Sequence, residues 1–251
     1  MISGLTIQTS MLVNTCRETL KQQEFLKWLE GEHFDLAFAS VFDVCSVGLI
    51  HAAKIPGWIW LSSGAIMDHI SYLTGIPIIR SYVPPLMMEA VGDMSFAQRV
   101  KSVIGHGLTK LLWTKLIAEP QMELFRTHVS PDFPDLLELA SRCPLIMANT
   151  NDFYEIPRPT LAKVVNIGGI GVVSNAKPLP ENMEKLLERA EGAVLFSFGS
   201  FAPAHRMPSE WKKIFSNTFR RFPNYQFFMR YEGNDVKGKQ IYSISSIIWL
   251  K

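Results

Sequence analysis

The chain has 251 residues, 47% hydrophobic and 19% charged, the composition of a globular protein with ample core material. Lys plus Arg number 25 against 23 Asp plus Glu, a net charge of +2, and no block of like charge occurs. That gives no electrostatic case for nucleic acid, which needs a concentrated basic face, and the length fits one large domain or two smaller ones.

From the N-terminus, Met1–Thr6 lacks a basic stretch followed by an apolar core, so no secretory signal is expected there. No run reaches the ~18 apolar residues of a membrane span; Val103–Ala118 comes nearest and is interrupted by His106, Lys110 and Lys115. Leu12 to Glu30 reads as a helix with Cys16, Leu20 and Leu26 inward. Phe34 to Ala39 reads as a buried strand, Val44 to Ala53 as a helix, and Trp58 to Leu61 as the next strand. Strand, helix, strand in this rhythm predicts parallel α/β structure.

Residues 74 to 93 are rich in Pro and Gly and read as a loop. Ser95-Phe96-Ala97-Gln98 fits a capping box, with Ser as N-cap and Gln three residues on. Phe96, Val100, Val103, Ile104 and Leu111 then recur at helical spacing. Leu145 to Ala148 is a further strand. The glycines of Asn166–Gly171 and the Lys177-Pro178-Leu179-Pro180 run suggest a linker over 168–180. Beyond it come a helix around Met183 and Leu187, a strand at Ala193–Phe198, and an amphipathic helix carrying Trp211, Ile214, Phe215, Phe219 and Phe222. A strand at Gln226–Met229 follows. The expected domains are therefore 1–176 and 177–251.

The three cysteines, Cys16, Cys45 and Cys143, are widely spaced, with no C-x-x-C. Neither a disulfide framework nor a zinc site is indicated, and buried free thiols are expected. None of the six histidines has metal-ligand spacing. The best local signal for chemistry is Phe196-Ser197-Phe198-Gly199-Ser200, where an apolar strand ends. Ligands of open α/β sheets bind at the carboxyl ends of strands. A glycine there lets the backbone approach a phosphate, while Ser197, Ser200 and free N–H groups offer donors. Arg230 ends the next strand and would supply a cation at the same edge. Asp35 and Asp43 flank the Phe34–Ala39 strand, and either could orient a base or simply cap a turn.

Collinear segments over about residues 12 to 233 give these features a common frame. They are Phe34-Asp35-Leu36-Ala37-Phe38-Ala39, then Cys45 and Lys54-Ile55-Pro56, then Ser81-Tyr82-Val83-Pro84, Met94-Ser95-Phe96 and Arg99-Val100-Lys101. Next come Asn166-Ile167-Gly168-Gly169-Ile170, Lys177-Pro178-Leu179-Pro180, Gly192 to Ser200, and Phe228-Met229-Arg230-Tyr231. In this order the chain resembles the UDP-glucuronosyltransferase family, its nematode members in particular. The resemblance implies a GT-B-like α/β fold made of two incomplete Rossmann-like parallel-sheet domains. The N-terminal one would bind a small lipophilic acceptor and the C-terminal one the UDP-sugar. It implies metal-free displacement with inversion at the anomeric carbon, no cofactor beyond the UDP-sugar co-substrate, and an endoplasmic reticulum membrane location. Ser197, Gly199 and Ser200 would match the loop on the UDP phosphates, and Arg230 a donor-site arginine.

The departures set further expectations. The family's histidine base falls before this chain's first residue, and the aspartate that holds it is matched by Ser40, with Asp43 three residues on as a substitute. Ile248-Trp249-Leu250-Lys251 begins like the family's W-L-P-Q segment, the H-G-G donor signature and the C-terminal span are not in this sequence, and Lys237 onward leaves the pattern. The chain alone is therefore expected to be inactive and to bind UDP at best at about 1 mM. Two other readings remain: a non-catalytic isoform that forms homo- or hetero-oligomers with full-length relatives and modulates them, and an unrelated α/β ligand-binding module.

Overall fold

The computed structural model describes residues 2–86, 88–90, 92–172, 177–179, 181–188, 190–199, 202–232 and 247–250. The chain divides into two compact units, Met1–Val172 and Val173–Lys251. The linker expected over 168–180 thus starts inside the first unit. Gly168 donates its N–H to the Thr150 carbonyl at 2.9 Å, and a Cβ there would lie 2.5 Å from that oxygen. Residues 173–176 and Pro180 lie outside the described residues.

In the first unit, four parallel strands stand in chain order across one sheet: β1 (Leu36–Ser40), β2 (Gly57–Ser62), β3 (Leu145–Ala148) and β4 (Val164–Asn166). Ala39, Trp60 and Ile146 are partners across one row and are all buried. Strand side chains alternate in direction, so the same register turns Leu36 and Phe38 outward on the edge strand, where both are exposed. Trp60 donates its indole N–H to the Ser40 carbonyl at 2.9 Å, which ties the end of β1 to β2.

Seven α-helices accompany this sheet among the described residues. They are α1 (Ile2–Lys21), α2 (Gln23–Gly31), α3 (Cys45–Ala52), α4 (Asp68–Thr74), α5 (Phe96–Trp113), α6 (Glu119–His128) and α7 (Leu136–Ser141). A π-helical segment, Thr114–Ala118, joins α5 to α6. Cys16 and Leu20 of α1 enter the same core as Val47 and Ile50 of α3, Phe125 of α6 and Leu136 of α7. The helix read over 12–30 is two helices, broken at Gln22, whose φ of −82° and ψ of 78° leave helical space.

The cysteine expectation is overturned in part. Cys16 and Cys45 form a disulfide between α1 and the first turn of α3, with Cα atoms 5.8 Å apart. Sequence spacing does not report such an approach, because the two residues meet only once both helices dock on the sheet. Cys143 is a buried free thiol, as expected, with its Sγ 3.1 Å from the Leu145 carbonyl.

The second unit has a three-stranded parallel sheet, β5 (Gly192–Phe196), β6 (Tyr225–Arg230) and β7 (Ile247–Leu250), in that order. Helices α8 (Glu181–Leu187) and α9 (Ser209–Phe219) belong to it. Phe219 stacks on Phe227 at a centroid distance of 4.3 Å, and Met207, Met229 and Tyr231 complete the cluster. Of the apolar residues expected along α9 and its end, Phe219 is buried and Phe215 packs on the core. Trp211, Ile214 and Phe222 are exposed.

Gly48 of α3 lies close against α6. A Cβ there would lie 2.3 Å from the Phe125 ring, itself fully buried. Gly48→Ala should therefore lower the stability of this unit by about 1–3 kcal/mol despite alanine's better helix propensity. A urea melt checks this; an unchanged or higher midpoint would show that α3 and α6 are not this close.

Candidate functional site

Parallel pairing fixes where the second unit's polar residues lie. Phe196 of β5 is the partner of Met229 of β6. The next residues, Ser197 and Arg230, are therefore neighbours at the carboxyl edge of the sheet, and Arg230 is in turn paired in register with Leu250 of β7. Gly199 follows with φ +74°, a conformation that costs other residues steric strain, and among the described residues nothing stands within 4 Å of where its Cβ would be. The glycine is needed for the path of the turn. Ser200 lies outside the described residues.

One detail differs from the sequence reading. The Gly199 N–H, expected to be free for a phosphate, is donated to Ser197 Oγ at 3.1 Å. Among the described residues the Ser197 hydroxyl accepts this bond and donates to no protein group. A 3-10 turn, Ala204–Arg206, lies between this turn and α9. Glu232 organises this rim. Its Oε2 accepts the Ala204 N–H at 2.8 Å and lies 3.8 Å from His205 Nδ1, while its Oε1 lies 3.9 Å from Arg230 Nε. Its carboxyl is held below the usual range by backbone hydrogen bonding, which outweighs burial, with Arg230 adding to the effect. Glu232 carried no sequence signal beyond standing two residues after a candidate arginine.

At the carboxyl edge of β1, Asp43 Oδ1 accepts the Cys45 N–H at 3.2 Å, just before α3, and Oδ2 accepts Gln121 Nε2 at 3.2 Å. Gln121 Oε1 accepts the Val44 N–H at 3.1 Å. Burial raises the Asp43 pKa, opposed by the Gln121 hydrogen bond. Both carboxylate oxygens thus accept a hydrogen bond from within this unit. Ser40 ends β1, its hydroxyl 3.5 Å from the Phe42 N–H that it accepts. Asp35 precedes β1, at the opposite edge from Asp43.

A buried polar cluster close to this loop joins residues that sequence reasoning left apart. His69 places Nε2 2.6 Å from the Val41 carbonyl and stacks on Trp113 at 4.4 Å. Asp68, beside it, lies 3.1 Å from His106 Nδ1, and His106 Nε2 is 3.0 Å from the Val83 carbonyl. Asp68 Oδ2 also accepts the Leu86 N–H at 3.0 Å. These bonds fasten the 75–95 loop to α4 and α5. His106 thus stands between the Asp68 carboxylate and the Val83 carbonyl, within ion-pair distance of the first, although its buried Nδ1 lacks hydrogen-bond geometry to it. Only tertiary proximity relates Asp68 to His106, so no local motif announces them.

With the geometry in place, comparison with known proteins identifies the kind of chain this is. Residues 2–241 match the protein family described as UDP-glucoronosyl and UDP-glucosyl transferase. The chain is 26% identical over 249 residues to the Caenorhabditis elegans protein ugt-50, a UDP-glucuronosyltransferase by name, with 96% of this chain and 47% of that relative covered. It is 28% identical over 223 residues to ugt-48 of the same organism, covering 88% and 42%. To human UDP-glucuronosyltransferase 2B7 it is 26% identical over 221 residues, covering 87% and 41%. The chain thus spans about half the length, or less, of the curated relatives it matches.

The Asp68–His106 pair should give the first unit a definite pH signature. Burial lowers the pKa of His106, but Asp68 and the Val83 carbonyl outweigh it and the net shift is upward, with Arg80 opposing. Burial raises Asp68, and His106 and the Leu86 N–H outweigh it to give a net lowering. The pair's contribution is therefore full between about pH 4 and 6.5, the two unfolded values. It is lost as pH rises through the His106 folded value or falls through that of Asp68. Burial holds His69 below its ordinary value, which acts in the opposite direction near neutrality. The reading is thus the difference between wild type and Asp68→Asn. That difference should be largest near pH 6 and shrink towards pH 9 in urea melts; a pH-independent difference would contradict the ion pair.

Proposed function

The chain belongs to the UDP-glucuronosyl and UDP-glucosyl transferase family, and we propose that its second unit holds the diphosphate of a UDP-sugar in a glucuronosyl transfer to small lipophilic acceptors. The observation that carries this is the placement of Ser197, Gly199 and Arg230 at one carboxyl edge of adjacent parallel strands. Ligands of open α/β sheets bind at that edge. A positive-φ glycine opens it to a phosphate, and a guanidinium suits phosphate oxygens. In the proposed reaction the acceptor oxygen attacks the anomeric carbon as the bond to the β-phosphate breaks, with inversion. Arg230 and the Ser197 hydroxyl then stabilise charge developing on the UDP leaving group. Ser200 belongs to the same proposed loop.

For the first unit, residues 1–172, we propose the acceptor-side role that family resemblance supports. With Ser40 in the aspartate position and Asp43 committed to Cys45 and Gln121, we propose that residues 1–251 on their own do not turn over. General base assistance is worth roughly 100- to 10,000-fold. Resemblance also supports an endoplasmic reticulum setting, and the Cys16–Cys45 bridge fits it, because disulfides persist in oxidising compartments. Among the described residues no helix is long and apolar enough to cross a membrane.

Calorimetric titration of UDP into the 251-residue chain tests the site. Binding should be weak, at best on the order of 1 mM. Arg230→Ala should weaken it further, by about tenfold for one charge-assisted contact. Gly199→Val should abolish it, since valine is strained at that φ. Uridine in place of UDP should not respond to Arg230→Ala. Equal UDP affinity in wild type and both variants would overturn the donor-site assignment.

A further inference from the structure

Helix α5 has the stripe of apolar residues its periodicity predicts, yet the stripe faces away from the protein. Its inward side carries Ser102 and His106, both buried, with Gln98, Gly105, Thr109 and Trp113 partly covered. At about 100° per residue, Phe96, Val100, Val103, Ile104, Leu108 and Leu111 occupy the opposite side, over an arc of about 140°. Phe96 is 83% exposed, Ile104 57% and Leu111 54%. The exposure is sustained over the length of the helix, which is far from the scattered single apolar residues of ordinary surfaces.

The charges around this stripe say what it fits. Arg99 and Lys110 border one side and Lys101 the other, and from Phe96 to Ala118 there is no acidic residue. Lys115 is neutralised by Glu119 at 2.7 Å, whereas Lys110 lies over the Tyr72 ring at 3.6 Å and keeps its charge at the flank. A second copy of the chain is a poor occupant, because face-to-face docking of this helix would set cations against cations with no acid to answer them. The arrangement of an apolar face flanked by basic side chains is that of a helix lying in the plane of a lipid headgroup layer. We propose that α5 docks the first unit on an anionic lipid surface, with Phe96, Ile104 and Leu111 inserted among the headgroups and Arg99, Lys101 and Lys110 against their negative charges. The capping box suits this role. Ser95 Oγ accepts the Gln98 N–H at 3.4 Å and Gln98 Oε1 accepts the Ser95 N–H at 2.9 Å, so the exposed first turn is held without help from the apolar face.

The proposal rests on the first unit alone and is independent of the donor-site reading. Co-sedimentation of the 251-residue chain with phosphatidylcholine vesicles, with and without phosphatidylserine, tests it. Binding should require phosphatidylserine and weaken with salt. Ile104→Glu with Leu111→Glu should remove it, and Lys101→Gln with Lys110→Gln should weaken it by about fivefold per cation. Circular dichroism checks that the exposed substitutions leave the fold intact, and the wild-type comparison stands even if one variant misfolds. Three results would overturn the proposal: no binding to either vesicle, equal binding to both, or binding unaffected by the α5 variants. So would a dimer in solution that the Ile104 and Leu111 changes dissociate while vesicles are ignored.

Discussion

Parallel strand pairing is the constraint on which the functional reading depends. In each unit every paired strand runs the same way, so every carboxyl end reaches the same edge. Register does the rest. A shift of one residue between β5 and β6 would turn Arg230 to the other face relative to Ser197. The aromatic packing of Phe219 on Phe227, with Phe196 against Phe215 and Phe219, fixes that register from below.

In the first unit polar groups at the same edge bond to one another. Asp43 and Gln121 bond each other and the start of α3, the disulfide fastens α1 to that turn, and His69 abuts the Val41 carbonyl. A buried polar group without a partner is costly, so bonds of this kind order the loop after β1.

What the sequence disclosed and what it hid divide along physical lines. Strands β1, β2, β3, β5 and β6 and the Ser95 cap were legible because apolar runs and capping residues are local signals. The adjacency of Ser197 and Arg230 followed from two strands ending at equivalent points of a parallel pair. The Cys16–Cys45 bridge and the Asp68–His106 pair were hidden because each joins distant positions that meet only after helices dock. The face of α5 was hidden for another reason: periodicity identifies an amphipathic helix but not which side meets the core. Small polar residues such as Ser102, Gly105 and Thr109 suffice to pack the inward side, and the apolar stripe is left outside. Gly168 read as a linker residue because a glycine required by backbone contact and one present for flexibility are the same letter.

The central claim is that the diphosphate of a UDP-sugar sits at the carboxyl edge of β5 and β6. Amide chemical-shift mapping of isotopically labelled chain during UDP addition tests it most directly. The account predicts saturable shifts at Ser197, Phe198, Gly199 and Arg230, with the amides of Gly192 and Asn224 at the opposite edge unmoved. Shifts confined to that opposite edge, or to the first unit, would contradict it.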